Sequence, residues 1–127
     1  MRMFEYNKTK IYLGKTDIEN TEIVETYKNL DYTWFHLSDY PSAHLVIEKS
    51  RDSLIDEEIN FCANLVKYYH KLRKEWTKKY YIDIVSTKNV KPQSKPGLVT
   101  ISNVKKVKIK PCFNFNPENF IYKKNEI

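Results

Sequence analysis

The sequence predicts an α+β fold: a mainly antiparallel sheet with one long helix (about residues 54–78) and one short helix (about 18–27) packed on it. Three observations predict this. The central stretch DYTWFHLSDYPSAHLVIEK, residues 31–49, holds two runs rich in aromatic and β-branched residues, Thr33–Ser38 and Ala43–Lys49. Shorter runs of similar character lie towards both ends of the chain. Between them, apolar residues recur at helical spacing from Ile55 onward.

Taken in order, Met3–Tyr6 and Lys10–Leu13 read as strands around a turn at Asn7-Lys8-Thr9. Gly14-Lys15-Thr16 is not a phosphate loop, because the upstream glycine of that motif is replaced by Thr9. Thr21–Tyr27 follows as a short helix, with acidic residues in its early turns that suit the helix dipole. The central pair is joined by a polar link containing Asp39 and Pro41, so a hairpin would bring His36 and His44 together. Ser50–Ser53 is a loop, and Ser53 or Asp56 is the expected helix cap.

The long helix shows the clearest pattern. Ile55, Ile59, Cys62, Val66 and Tyr69 are spaced by four, three, four and three residues, and Leu65, Leu72 and Trp76 widen the same face. On the opposite face Lys67, Lys71, Lys74 and Lys78 fall within about 60° of one another. Tyr80–Thr87 is the next strand, and Lys88–Lys95 a basic loop ending in the turn Lys95-Pro96-Gly97. Leu98–Ser102 and Lys106–Lys110 read as a closing hairpin with Asn103 in its turn, its lysines on one sheet face and its aliphatics on the other.

At 127 residues the chain is expected to form one domain, residues 1–111, with an extension at 112–127. Phe113, Phe115, Phe120 and Ile121 give that extension the means to pack on the domain; the alternative is that part of it stays flexible. No apolar run reaches the roughly 20 residues of a bilayer span, and the N-terminus lacks the apolar segment of a signal peptide. Cys62 and Cys112 lie far apart without metal-ligand spacing, which fits reduced thiols and a cytoplasmic setting, a nuclear one being the alternative.

Net charge is +6, and its distribution is steep. Residues 1–65 carry 7 Lys/Arg against 12 Asp/Glu, whereas residues 66–110 carry 13 against 2. Such an asymmetry points to a polyanionic partner, the alternative being a solvated lysine face.

The chain resembles the NFACT-R family, the RNA-binding domain of ribosome-associated quality-control factors, also found in stand-alone proteins. The resemblance is carried by Trp34-Phe35-His36-Leu37 followed by Pro41-Ser42-Ala43-His44-Leu45-Val46-Ile47, and by Gly14-Lys15 with Asn20. It continues in Tyr69-His70-Lys71-Leu72-Arg73, in Lys88-Asn89-Val90-Lys91-Pro92 and in Lys95-Pro96-Gly97. The match covers roughly residues 3–111, and the ordered set is more specific than any one motif. Where the family often has Gln, this chain has Glu19, and its basic loop is one lysine and one glycine shorter.

The resemblance implies a stand-alone, non-catalytic module that binds structured RNA, tRNA or rRNA, ahead of DNA, with the ribosome as a further partner and translation as the setting. No cofactor, metal or small-molecule substrate is expected, and no membrane. Lys67, Lys71, Lys74 and Lys78 are the expected phosphate contacts, helped by Arg73, Lys88, Lys91, Lys95 and Lys106. His36 and His44 with Asp39 and Ser42 form too small a set for acid–base catalysis or a metal site. His36, inside an aromatic strand, fits a structural role, and His44 is the candidate for contact with nucleic acid. The rival reading is a protein-interaction adaptor that docks on an acidic ribosomal or other protein surface.

Overall fold

The computed structural model describes residues 1–71 and 79–122. Within them the strands are β1 (Arg2–Tyr6), β2 (Thr9–Leu13), β3 (Thr33–Leu37), β4 (Leu45–Ile47), β5 (Tyr81–Ser86), β6 (Val90–Pro92), β7 (Val99–Ile101) and β8 (Lys105–Lys108). Two α-helices, α1 (Asp17–Tyr27) and α2 (Asp56–Tyr68), complete the α+β fold. The main sheet is six-stranded, in the order β1-β2-β4-β3-β5-β8, with antiparallel pairs throughout, and β6 and β7 form a separate antiparallel pair.

The period of two along each strand divides the apolar residues between the two faces. Ile11, Leu13, Phe35, Leu37, Leu45, Ile47, Ile82 and Ile84 point one way, onto Phe61, Cys62, Leu65 and Val66 of α2. Trp34, Val46 and Val85 point the other way, where Ile23 and Val24 of α1 and Val90 of β6 cover them. A helix therefore sits on each face.

Local chemistry explains how each helix begins. Thr16 Oγ1 accepts from the Glu19 amide at 3.1 Å, and the Glu19 carboxylate accepts from the Lys15 amide at 2.8 Å. At α2, Ser53 bonds back to Ser50 instead of capping. The expected Ser53 or Asp56 cap is replaced by Glu58, which accepts from the Ile55 amide at 3.0 Å while pairing with Lys49 at 2.8 Å.

Three expectations are corrected. Val90–Pro92, inside the expected basic loop, is strand β6 and pairs with β7. The helix does not run unbroken to residue 78: α2 ends at Tyr68. The reason is tertiary. His70 bonds the Pro41 carbonyl at 3.0 Å and its ring meets Tyr40, tying the chain to the β3–β4 link. Nor do the last two strands pair with each other. β7 pairs with β6, with Val90 opposite Ile101, while β8 joins the main sheet beside β5, with Ile82 opposite Val107. Asn103, at φ 54°, lies between them as the chain changes sheet.

The segment after β8 crosses α2. Asn64 donates to the Lys110 carbonyl at 2.9 Å and accepts from the Cys112 amide at 3.1 Å. Phe115 and Phe120 pack on Phe61, Phe120 meets Tyr6, and Ile121 bridges to Phe4 on β1. Phe113 stays 75% exposed. No helix among the described residues is long and apolar enough to cross a membrane.

Candidate nucleic-acid interface

The face of the sheet away from α2 carries the site. Strand register sets it up. His36 on β3 lies opposite Asp83 on β5, and Asp83 lies opposite Lys106 on β8, so the three side chains share one face. His44, just before β4, adds to the same row, its ring centroid 5.1 Å from that of His36 and nearly perpendicular to it. The Trp34 ring lies parallel to His36 at 5.4 Å and edge-on to His44 at 5.3 Å. The hairpin turn of β6–β7 and the start of α1 close over this row. Between them is a cleft of about 540 Å³, lined by Trp34, His36, Tyr40, Ser42 and His44, by Asp17, Asp39 and Asp83, and by Lys95 and Gly97 among others.

Two glycines make the closure possible. A Cβ on Gly14 would lie 2.0 Å from Asn20 Oδ1, the atom that accepts from the His44 amide at 3.1 Å. The Gly14 amide in turn donates to the His44 carbonyl at 3.0 Å. Gly14, Asn20 and His44 thus lock α1 to the end of β4. Gly97 has φ +83°, a Cβ there would sit 3.0 Å from Asp17 Oδ1, and its amide donates to Thr21 Oγ1 at 2.8 Å. That contact seats the hairpin turn on α1.

Neither histidine of the cleft is a cation at neutral pH. Burial, with His36 beside it, pushes His44 from 6.5 down to about 3, against a bond to the Gly97 backbone that favours protonation. Burial also holds His36 below its ordinary value, although its bond to Leu37 and the nearby Asp83 oppose that. Leu37 O can only accept, so His36 Nδ1, 2.6 Å away, carries the proton and Nε2 is an acceptor. Among the described residues His44 Nδ1 and Trp34 Nε1 have no hydrogen-bond partner, although His44 and Trp34 are each only 2% exposed.

The expected contacts divide sharply. Lys88, Lys91, Lys95 and Lys106 are exposed, as are Lys105 and Lys108, and Lys106 and Lys108 stand on the His36 face. Lys71 is exposed beyond the end of α2. Arg73, Lys74 and Lys78 lie outside the described residues. Lys67 is corrected from a phosphate contact to an interior residue: it is 4% exposed and its ammonium lies 5.1 Å from the centre of the Tyr80 ring. His44 is likewise corrected, being buried and neutral, whereas His36 is the histidine with a partly open ring.

Sequence reasoning passed over Asp17, Tyr40 and Asp83. The first had a readable signal, Gly97 after a proline, which marks a close backbone approach. Asp83 had none, since only the β3–β5 register brings it beside His36. Among the described residues no group of three His, Cys, Asp or Glu is placed to hold a metal ion.

The sequence profile of the NFACT protein RNA-binding domain matches residues 1–103. The Rqc2 homolog RqcH of Streptococcus suis is 32% identical over 106 residues, 82% of this chain and 19% of that protein. Protein JLP2 of Saccharomyces cerevisiae is 34% identical over 64 residues, 46% of this chain and 31% of that protein. The C-terminal part of the fibronectin/fibrinogen-binding protein of Streptococcus suis shares the fold, with a TM-score of 0.80 and 25% identity over 95% of this chain and 49% of that one. The chain spans about a fifth of the length of the RqcH protein it matches.

Proposed function

The chain belongs to the NFACT-R family, the RNA-binding domain of NFACT proteins, and on that premise we propose that it is a non-catalytic module for structured RNA, tRNA or rRNA, acting in ribosome-associated quality control. The observation that carries the reading is the placement of exposed lysines. Lys106 and Lys108 project from the sheet face that bears His36, and Lys95 reaches the cleft from the hairpin turn. Lys88 and Lys91 are exposed along the same hairpin layer. Phosphates meet these lysines, with Lys71 as a further contact. Arg73, Lys74 and Lys78, outside the described residues, extend the set by their charge alone. The ribosomal setting follows the similarity to RqcH, whose name ties it to Rqc2.

The test is binding of the purified chain to tRNA, an rRNA fragment, duplex DNA and heparin over a salt series, beside a Lys106→Glu/Lys108→Glu variant. If about four phosphates are neutralised, log K falls with log salt at a slope of about −3 to −4, and the variant flattens that slope by about 2. Equal weak binding to all four polyanions, unchanged in the variant, sinks the reading and turns attention to an acidic protein partner.

A further inference from the structure

We propose that the cleft beside His36 receives one unpaired nucleobase of the bound RNA, with guanine preferred. This rests on the RNA-binding reading and deepens it: the lysines hold the backbone, and the cleft takes a base that is out of its helix.

Several observations carry this. The cleft, at about 540 Å³, lies in the range of small-ligand sites, and its lining is mixed aromatic and polar. Its charge is wrong for phosphate, because among the described residues Asp17, Asp39 and Asp83 line it with Lys95 as the one cation. Carboxylates select groups that donate, and guanine presents adjacent N1–H and N2–H₂ donors on its Watson–Crick edge. Ser38 Oγ donates to Asp83 Oδ1 at 2.6 Å, which orients that carboxylate on the sheet face.

The rings supply the platform. Trp34 and His36 already stack at an interplanar angle of 7°, and both line the cleft. A base laid on His36 adds a third layer to that stack, beside Asp83 on the neighbouring strand. Stacking on side-chain rings is the usual way a splayed-out base is held. The His36 acceptor Nε2 suits a ribose 2′-hydroxyl, which can donate to it, whereas DNA has no such group. Finally, Trp34 Nε1 and His44 Nδ1 are buried in this wall without partners among the described residues. Unsatisfied polar atoms of this kind are uncommon in protein interiors and call for a specific explanation.

The test uses the full chain and a labelled RNA hairpin, blunt or with a single 3′ overhanging G, A, C or U. The G overhang is expected to bind about tenfold tighter than the blunt form, a loss or gain typical of one stacked base. His36→Ala should erase that gain and leave the salt slope unchanged. His36→Phe, which keeps a ring, should retain most of it. Asp83→Asn, close in shape, should reduce the preference for G over A. Blunt and overhanging RNAs bound equally well, with RNA binding otherwise intact, would overturn the cleft assignment and leave the RNA-binding reading standing. So would a His36→Phe variant as defective as His36→Ala with its fold preserved. Failure to bind any of the hairpins would remove the RNA-binding reading and the cleft assignment together.

Discussion

The two faces of the sheet differ more than their shared strands suggest. Under α2 the face carries a large apolar cluster: Phe4, Ile11, Leu13, Phe35, Leu37, Leu45, Ile82 and Ile84 pack with Leu65 and Val66. Under α1 the apolar cluster is small, and beyond Trp34 it gives way to His36, His44 and Asp83. One strand serves both. Phe35 and Leu37 of β3 belong to the core, while Trp34 and His36 belong to the cleft. Alternation lets a single five-residue segment stabilise the fold on one side and build a site on the other.

The comparison can be broken on the core side first. Phe35→Ala should lower stability by about 3–5 kcal/mol, since it removes a fully buried ring from the face under α2. RNA affinity per folded molecule should change little, because the side chain points away from the cleft. Urea unfolding alongside RNA titration would check both parts, and loss of affinity out of proportion to the unfolded fraction would contradict the division between faces.

The cleft side should respond to acid. His44 stays neutral in the folded chain down to about pH 3, whereas in the unfolded chain it takes up a proton near its ordinary 6.5. The unfolded state therefore binds more protons between these values, and stability falls as pH drops below 6.5, by about 2 kcal/mol at pH 5 from this residue. His36, also held below its ordinary value by burial, acts in the same direction. His44→Gln should be less stable at pH 7 yet show a flatter decline between pH 7 and pH 5, as read from urea midpoints.

The smallest effect on stability is expected at the hinge between hairpin and helix. Gly97→Ala places a Cβ at φ +83° and 3.0 Å from Asp17 Oδ1, at a cost of about 1 kcal/mol. Because this turn forms one wall of the cleft, faster amide hydrogen exchange should appear along β6, β7 and the first turn of α1. Exchange in β1 and β2 should not move.

Much of the fold was legible because local patterns there agree with the tertiary outcome. Thr33–Leu37 and Leu45–Ile47 are strands by composition, and they pair directly with Trp34 opposite Val46. Gly14 and Asn20 stood out through the family resemblance, and the structure supplies the reason: the backbone of one must approach the side chain of the other. The lysine stripe was less secure. Lys67 has the helical spacing of a solvent-facing residue, but the chain beyond β8 lies over that side of α2 through Asn64 and Phe115. A helical wheel carries no information about a segment some 45 residues further on.

By itself, the sequence determined the α+β class, the positions of the strands other than β6, the amphipathic core of α2 and the concentration of positive charge after residue 65. These rest on side-chain periodicity and composition, which act over a few residues. The tertiary structure alone decided that α2 ends at Tyr68, that β7 pairs with β6 rather than β8, and that His44 is interior while His36 is only half-buried. It alone joined His36, Asp83 and Lys106 across three strands. Register between strands depends on which residues far apart in the chain are buried together, and local pattern does not encode that choice.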